Sequence, residues 1–183
     1  MIRHRGPTPL TVLTPVRPGE EQHLADRLAG LPTGGDSPFH RLSGTHFARW
    51  VFVGHGGRRR GLVPVDLPIS LYLLFTATFD GPVDDFIDEF RVRIGDVADA
   101  VWEHCVGYPG HLERDRFRRY LNHNTLPIHR DFAAYHATVV EVRRALQLRE
   151  RHIGFATRSD AGASARPLAQ STLQQAFLEH FRD

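Results

Sequence analysis

Lysine is absent from this chain: all 23 of its basic residues are arginine. Against 21 acidic residues they leave a formal net charge of only +2, so we assign the arginine usage to coding composition, not to a cationic surface. The arginines are scattered. Their one run, Arg58-Arg59-Arg60, falls in the Gly-rich stretch GHGGRRRG, which reads as a solvated loop. No nucleic-acid partner is expected. A single cysteine, Cys105, rules out an internal disulfide. The opening MIRHRGPTPL lacks the apolar core of a secretory signal, and a cytoplasmic location is expected. Apolar runs are short, around residues 50–53 and 71–75, where a membrane-spanning helix needs roughly 20 residues. A soluble protein with no membrane partner is therefore expected.

Several chemistries lack their motifs. There is no HExxH, CxxC or HxH, and the nearest histidine set, His123, His129 and His136, is spread over a loop and a strand; no metal site is expected. GHGGRRRG has neither the following helix nor the GK[ST] ending of a phosphate-binding loop. No GxSxG supplies a hydrolase elbow.

What the chain does hold is enough for one domain: 183 residues, 41% of them hydrophobic, bury a core without disulfide help. Residues 10–16 (LTVLTPV) read as a strand rich in β-branched side chains. The turn Arg17-Pro18-Gly19 and an acidic helix start at Glu20 follow, with Leu24, Leu28 and Leu31 on one stripe. Residues 32–44 form a loop, 46–53 (HFARWVFV) a second strand, 54–68 another loop, and 70–79 a third strand that is apolar on both faces. The turn Asp80-Gly81-Pro82 then leads into VDDFIDEF, where Phe86, Ile87 and Phe90 open a helix running through Val97, Val101 and Cys105. Strand, Pro/Gly turn and acidic helix have thus occurred twice. A short helix at 114–122, a closing strand at 132–140 (FAAYHATVV) and an Arg-rich helix at 141–151 complete a domain over residues 1–158. A linker at 159–166 and an amphipathic helix at 168–181 follow, within a terminal segment 159–183 expected to pack on the same domain.

Two strand-helix units with antiparallel partners make an α+β, ferredoxin-like sandwich. Led by residues 10–16 and 71–79, the pattern resembles the dimeric α/β-barrel group of ferredoxin-like proteins over about residues 8–155. That group includes cofactor-free monooxygenases, polyketide cyclases, haem-degrading enzymes and dye-decolourising peroxidases. The resemblance is one of architecture, and function carried over on it is analogy. It implies a small-molecule enzyme acting on a hydrophobic, aromatic or polyketide-like substrate by proton transfer or oxidation, in a pocket between sheet and helices. The alternatives are a haem-binding protein or haem-dependent oxidative enzyme, and a non-catalytic binding or assembly module. Because such a sheet leaves one face uncovered by its own helices, a homodimer is expected.

Four residues stand out for catalysis: His46, Arg49, Asp80 and His104. On a regular strand His46 and Arg49 point to opposite sides, so they share a pocket only if a bulge intervenes. Asp80 ends a strand, where its carboxylate can instead accept N–H bonds of the next helix. An antiparallel connection would bring His46 and Asp80 to one edge of the sheet. His104 would join them over a floor of Phe75 and Trp102, placing two imidazoles around a carboxylate. Cys105, on the helical stripe, is expected in the core. For haem the candidate ligands are His104 and His136, with Trp50, Phe75, Phe79, Trp102 and Phe132 as walls.

Overall fold

A computed structural model describes residues 6–53, 71–129 and 131–163, together with Gln175, Leu178 and Glu179. The chain divides into two compact units, Met1–Val139 and Val140–Asp183.

In the first unit, the leading run forms β1 (Thr8–Pro15) and the acidic segment forms α1 (Glu21–Ala29). Two short 3₁₀ turns, Gly34–Asp36 and Pro38–Arg41, break the loop before β2 (Thr45–Val53). β3 (Tyr72–Phe79), α2 (Val83–Trp102) and α3 (Arg114–His123) follow. β1 and β2 both pair antiparallel with β3, in the order β1-β3-β2. The architecture is α+β. The two leading strands share one sheet, with Leu10 opposite Ala77 and Val12 opposite Phe75.

Alternation along the strands decides which face is covered. Leu10, Val12, Leu73, Phe75, Ala77 and Phe79 are buried on one side, under Leu24 of α1, Phe86, Ile87, Phe90, Ile94 and Trp102 of α2, and Phe117 and Leu121 of α3. The centre is aromatic. Phe75 and Trp102 meet edge to face at 5.5 Å between ring centroids, and Phe79 stacks on Phe86 at 3.9 Å. The third strand, read as apolar on both faces, is the central one, and on its opposite face Leu74, Thr76 and Thr78 are half-buried.

The outer edge of β1 is closed by two short antiparallel bridges, Val12 with Thr125 and Val16 with Cys105. Leu13 N–H donates to Asn124 O (2.9 Å) and Leu126 N–H to Thr11 O (2.8 Å). Val106 N–H donates to Pro15 O (2.8 Å) and Arg17 N–H to His104 O (2.9 Å). This corrects the expected closing strand at 132–140: residues 131–138 are irregular, and helix begins at Val139. The β1 edge is already occupied, and that run is diluted by three alanines, poor strand formers. Cys105 likewise lies past the end of α2, not on it, but its bridge to Val16 buries it as expected.

α2 departs from helical geometry at Ile94 (φ −137°, ψ 29°). Gly95 follows, and a Cβ there would overlap the His111 ring. The irregularity thus sits where a side chain packs on the helix backbone.

α4 (Val139–Ala163) runs from the end of the first unit into the second. Residues 159–163, expected as linker, are its last turn. The remainder of that linker, the Arg58-Arg59-Arg60 loop and most of 168–181 lie outside the described residues; Gln175, Leu178 and Glu179 are helical. No helix among the described residues is long and apolar enough to cross a membrane.

Since Phe75 is fully enclosed whereas Phe132 is 91% exposed, the two should respond oppositely to truncation. Phe75→Ala is expected to cost about 3–5 kcal/mol, and Phe132→Ala to stay within about 0.5 kcal/mol, measured by denaturant unfolding.

Candidate functional site

His46 is the extra residue of a β-bulge: Thr45 pairs with Phe79 and Phe47 with Thr78. The bulge places the imidazole on Asp80, with Nε2 at 2.9 Å from Oδ1. The pairing expected at this end of the sheet is therefore present. Asp80 is fully engaged, since Oδ2 accepts the Val139 N–H at 2.8 Å and its own N–H donates to Gly44 O at 2.8 Å. The carboxylate serves the start of α4 and not that of α2, whose N-cap is Pro82 without a side-chain bond. Arg49 does not join this pair. It faces Thr76, with Nε donating to the hydroxyl at 3.3 Å, and its guanidinium lies over the Phe47 ring.

His104 does not join it either, which corrects the expected three-residue grouping. The register puts Thr8 and Phe79, beside Asp80, at one end of the sheet, and Pro15 and Tyr72, next to the Val16–Cys105 bridge, at the other. His104 belongs to that second end. Phe75 and Trp102, expected as the floor of a pocket, are instead at the centre of the core.

At its own end His104 has a different carboxylate. The chain turns at Arg17, where Glu20 N–H donates to Arg17 O at 3.0 Å, and Glu20 enters α1 facing the turn that ends α2. Glu20 Oε2 lies 2.7 Å from His104 Nδ1 and 3.5 Å from His23 Nδ1. Hydrogen bonding to His104 is the main cause holding the Glu20 carboxyl below its ordinary value. With Nδ1–H donating to the carboxylate, the neutral imidazole keeps its lone pair on Nε2. That nitrogen is 3.8 Å from Glu103 Oε1, too far for a hydrogen bond. His104 and His23, with Asp26, Arg27, Gly30 and Leu31, wall an open cleft of about 450 Å³.

A third carboxylate–imidazole pair escaped the sequence reasoning. Asp99 Oδ1 accepts from the Tyr108 hydroxyl (2.7 Å) and the His111 N–H (2.8 Å), while Oδ2 lies 2.6 Å from His111 Nδ1. Burial first, and then the bond to Asp99, push the Tyr108 phenol far up, so it stays a neutral donor. The signal available was the turn Gly107-Tyr108-Pro109-Gly110, whose two glycines take positive φ (73° and 84°) and return the chain onto α2.

Among the haem candidates, His136 is exposed and Phe132 stands in solvent. Phe75, Phe79 and Trp102 are buried in the core, and Trp50 packs on Phe75 and Trp102. His136 and these aromatic residues do not wall one open space, and His104, the other candidate ligand, lines the cleft described above. Among the described residues no group of three or more His, Cys, Asp or Glu is placed to hold a metal ion. Cys105 is buried, its thiol pushed up chiefly by burial, which disfavours a nucleophilic thiolate.

The Asp99 pair makes a sharp steric prediction. Gly95→Ala drives a methyl group into the His111 ring and is expected to cost about 1–3 kcal/mol. Adding His111→Ala should recover part of that loss, as read from denaturant midpoints; additive losses would contradict the packing. Comparison with known family models, curated proteins and solved structures finds no match to the chain, so the site rests on its own geometry.

Proposed function

We propose that the first unit is a small-molecule enzyme that moves a proton at the His104–Glu20 cleft. The observation that carries this is the 2.7 Å contact of Glu20 with His104 Nδ1 on the wall of a 450 Å³ space. A carboxylate on Nδ1 fixes the tautomer whose Nε2 is a base. In the reaction Nε2 takes a proton from an acidic C–H or O–H of the substrate. The imidazolium so formed is held by the Glu20 carboxylate, and the proton returns to the rearranged product. Of the carboxylate–imidazole pairs at the two ends of the sheet, His46–Asp80 also ties down the backbone at Val139, whereas His104–Glu20 borders a cleft.

The substrate class follows from the surroundings. Leu31 borders both this cleft and a second groove of about 300 Å³, walled by Leu28, Pro38, Phe39 and Trp50 among others. Phe39 and Trp50 pack at 4.6 Å between centroids, presenting aromatic surface. A ligand with an apolar, aromatic body and a polar reactive end suits this pairing of spaces.

A panel of aromatic ketones and hydroxy-aromatics, screened by thermal shift, tests the reading. Compounds that raise the melting temperature of the wild type should lose that effect in His104→Ala and Glu20→Gln, with the unliganded proteins melting within a few degrees of each other. Shifts retained in both variants would leave these residues structural and favour a non-catalytic binding module. The pH dependence has a defined sign. Because the folded-state value of Glu20 is depressed, its contribution is present above the ordinary value of 4.5 and is lost as pH falls through the lower folded value. The stability gap between wild type and Glu20→Gln should be steady at neutral pH and close in acid.

A further inference from the structure

We propose that α4 is a self-association surface on which two copies of the chain pair antiparallel, Arg143 of each copy meeting Glu150 of the other. The helix is 25 residues long. Val142, Leu146 and Ile153 recur on it at the spacing of a seven-residue repeat, forming one stripe. Leu146 is 51% exposed and Ile153 50% exposed, apolar surface that a helix in water gains by covering. Arg143 and Glu150 stand on one flank of that stripe, two turns apart, both exposed. They are about 10 Å apart along the axis, too far to pair with each other, and neither forms an ion pair among the described residues.

The charges select both the occupant and its direction. In an antiparallel pair a flank residue meets the same flank of the other copy, and aligning Val142 with Ile153 of the second copy sets Arg143 two residues, about 3 Å, along the axis from the level of Glu150, within reach of its carboxylate, twice by symmetry. Leu146 then lies against the aliphatic stem of Arg149. A parallel pair would instead set Glu150 against Ala145 and leave Arg143 without a carboxylate. The other exposed apolar residues of the helix, Val140 and Leu148, lie on the opposite side. The route differs from the open sheet face carrying Phe47, through which the sequence suggested a dimer.

Sedimentation velocity on the full chain over a micromolar concentration series tests the proposal. The wild type should show a monomer–dimer equilibrium. Arg143→Glu and Glu150→Arg should each weaken association by about tenfold or more, and the double variant, which keeps the wild-type net charge, should restore it. Circular dichroism should show equal helix content throughout, since both positions are exposed. Monomer at every concentration, a dimer indifferent to the single reversals, or a double variant as weak as the singles would each overturn the proposal. So would a dimer abolished by Phe47→Asp instead.

Discussion

The hydrogen bonding of the outer edge of β1 governs where most of the remaining chain goes. An edge strand carries N–H and C=O groups that need partners wherever water is excluded. Here residues 104–106 and 124–126 supply them, each for a short stretch. The first bridge stops α2 at Trp102 and draws the following turn to the start of α1. Thr14, fully buried between the sheet and this turn, completes the junction with a hydroxyl within 3.3 Å of Leu73 O and 3.4 Å of Cys105 Sγ. His104 meets Glu20 because Cys105 pairs with Val16.

Among the described residues of the first unit three carboxylate–imidazole pairs lie within 3.0 Å, at 2.9, 2.7 and 2.6 Å, and they are not equivalent. Asp80 and Asp99 each also accept backbone N–H groups, from Val139 and His111 respectively. A carboxylate so engaged organises the chain. Among the described residues the Glu20 carboxylate contacts the imidazoles of His104 and His23 through Oε2, and its partner borders open space. The same residue types hold backbone in two places and, on the reading proposed, serve chemistry in one. The difference lies in what else the carboxylate must satisfy.

The three strands of the sheet and the α1 stripe were legible because they depend on local periodicity and turn residues, whereas Cys105 is buried through its bridge to Val16 and not by a helical stripe. The His46–Asp80 pair was legible too, since antiparallel neighbours bring a strand start and a strand end together. His104 was misplaced for a physical reason: its position depends on the long-range bridge to β1, which leaves no local pattern. The strand expected at 132–140 failed where alanines diluted β propensity and the edge it needed was already paired. Asp99 and His111 went unseen because their meeting requires two glycines at positive φ and a third, Gly95, to admit the ring. Spacing alone does not reveal such a return.

On the function proposed, Glu20 fixes His104 as a base at Nε2. Nitrogen-15 NMR of the imidazole rings in the intact chain tests it most directly, because protonated and unprotonated ring nitrogens resonate far apart. At a pH where His104 is neutral, the account predicts a proton on Nδ1, a bare Nε2, and loss of this preference in Glu20→Gln. A neutral His104 protonated on Nε2, or a tautomer unchanged by Glu20→Gln, would contradict it.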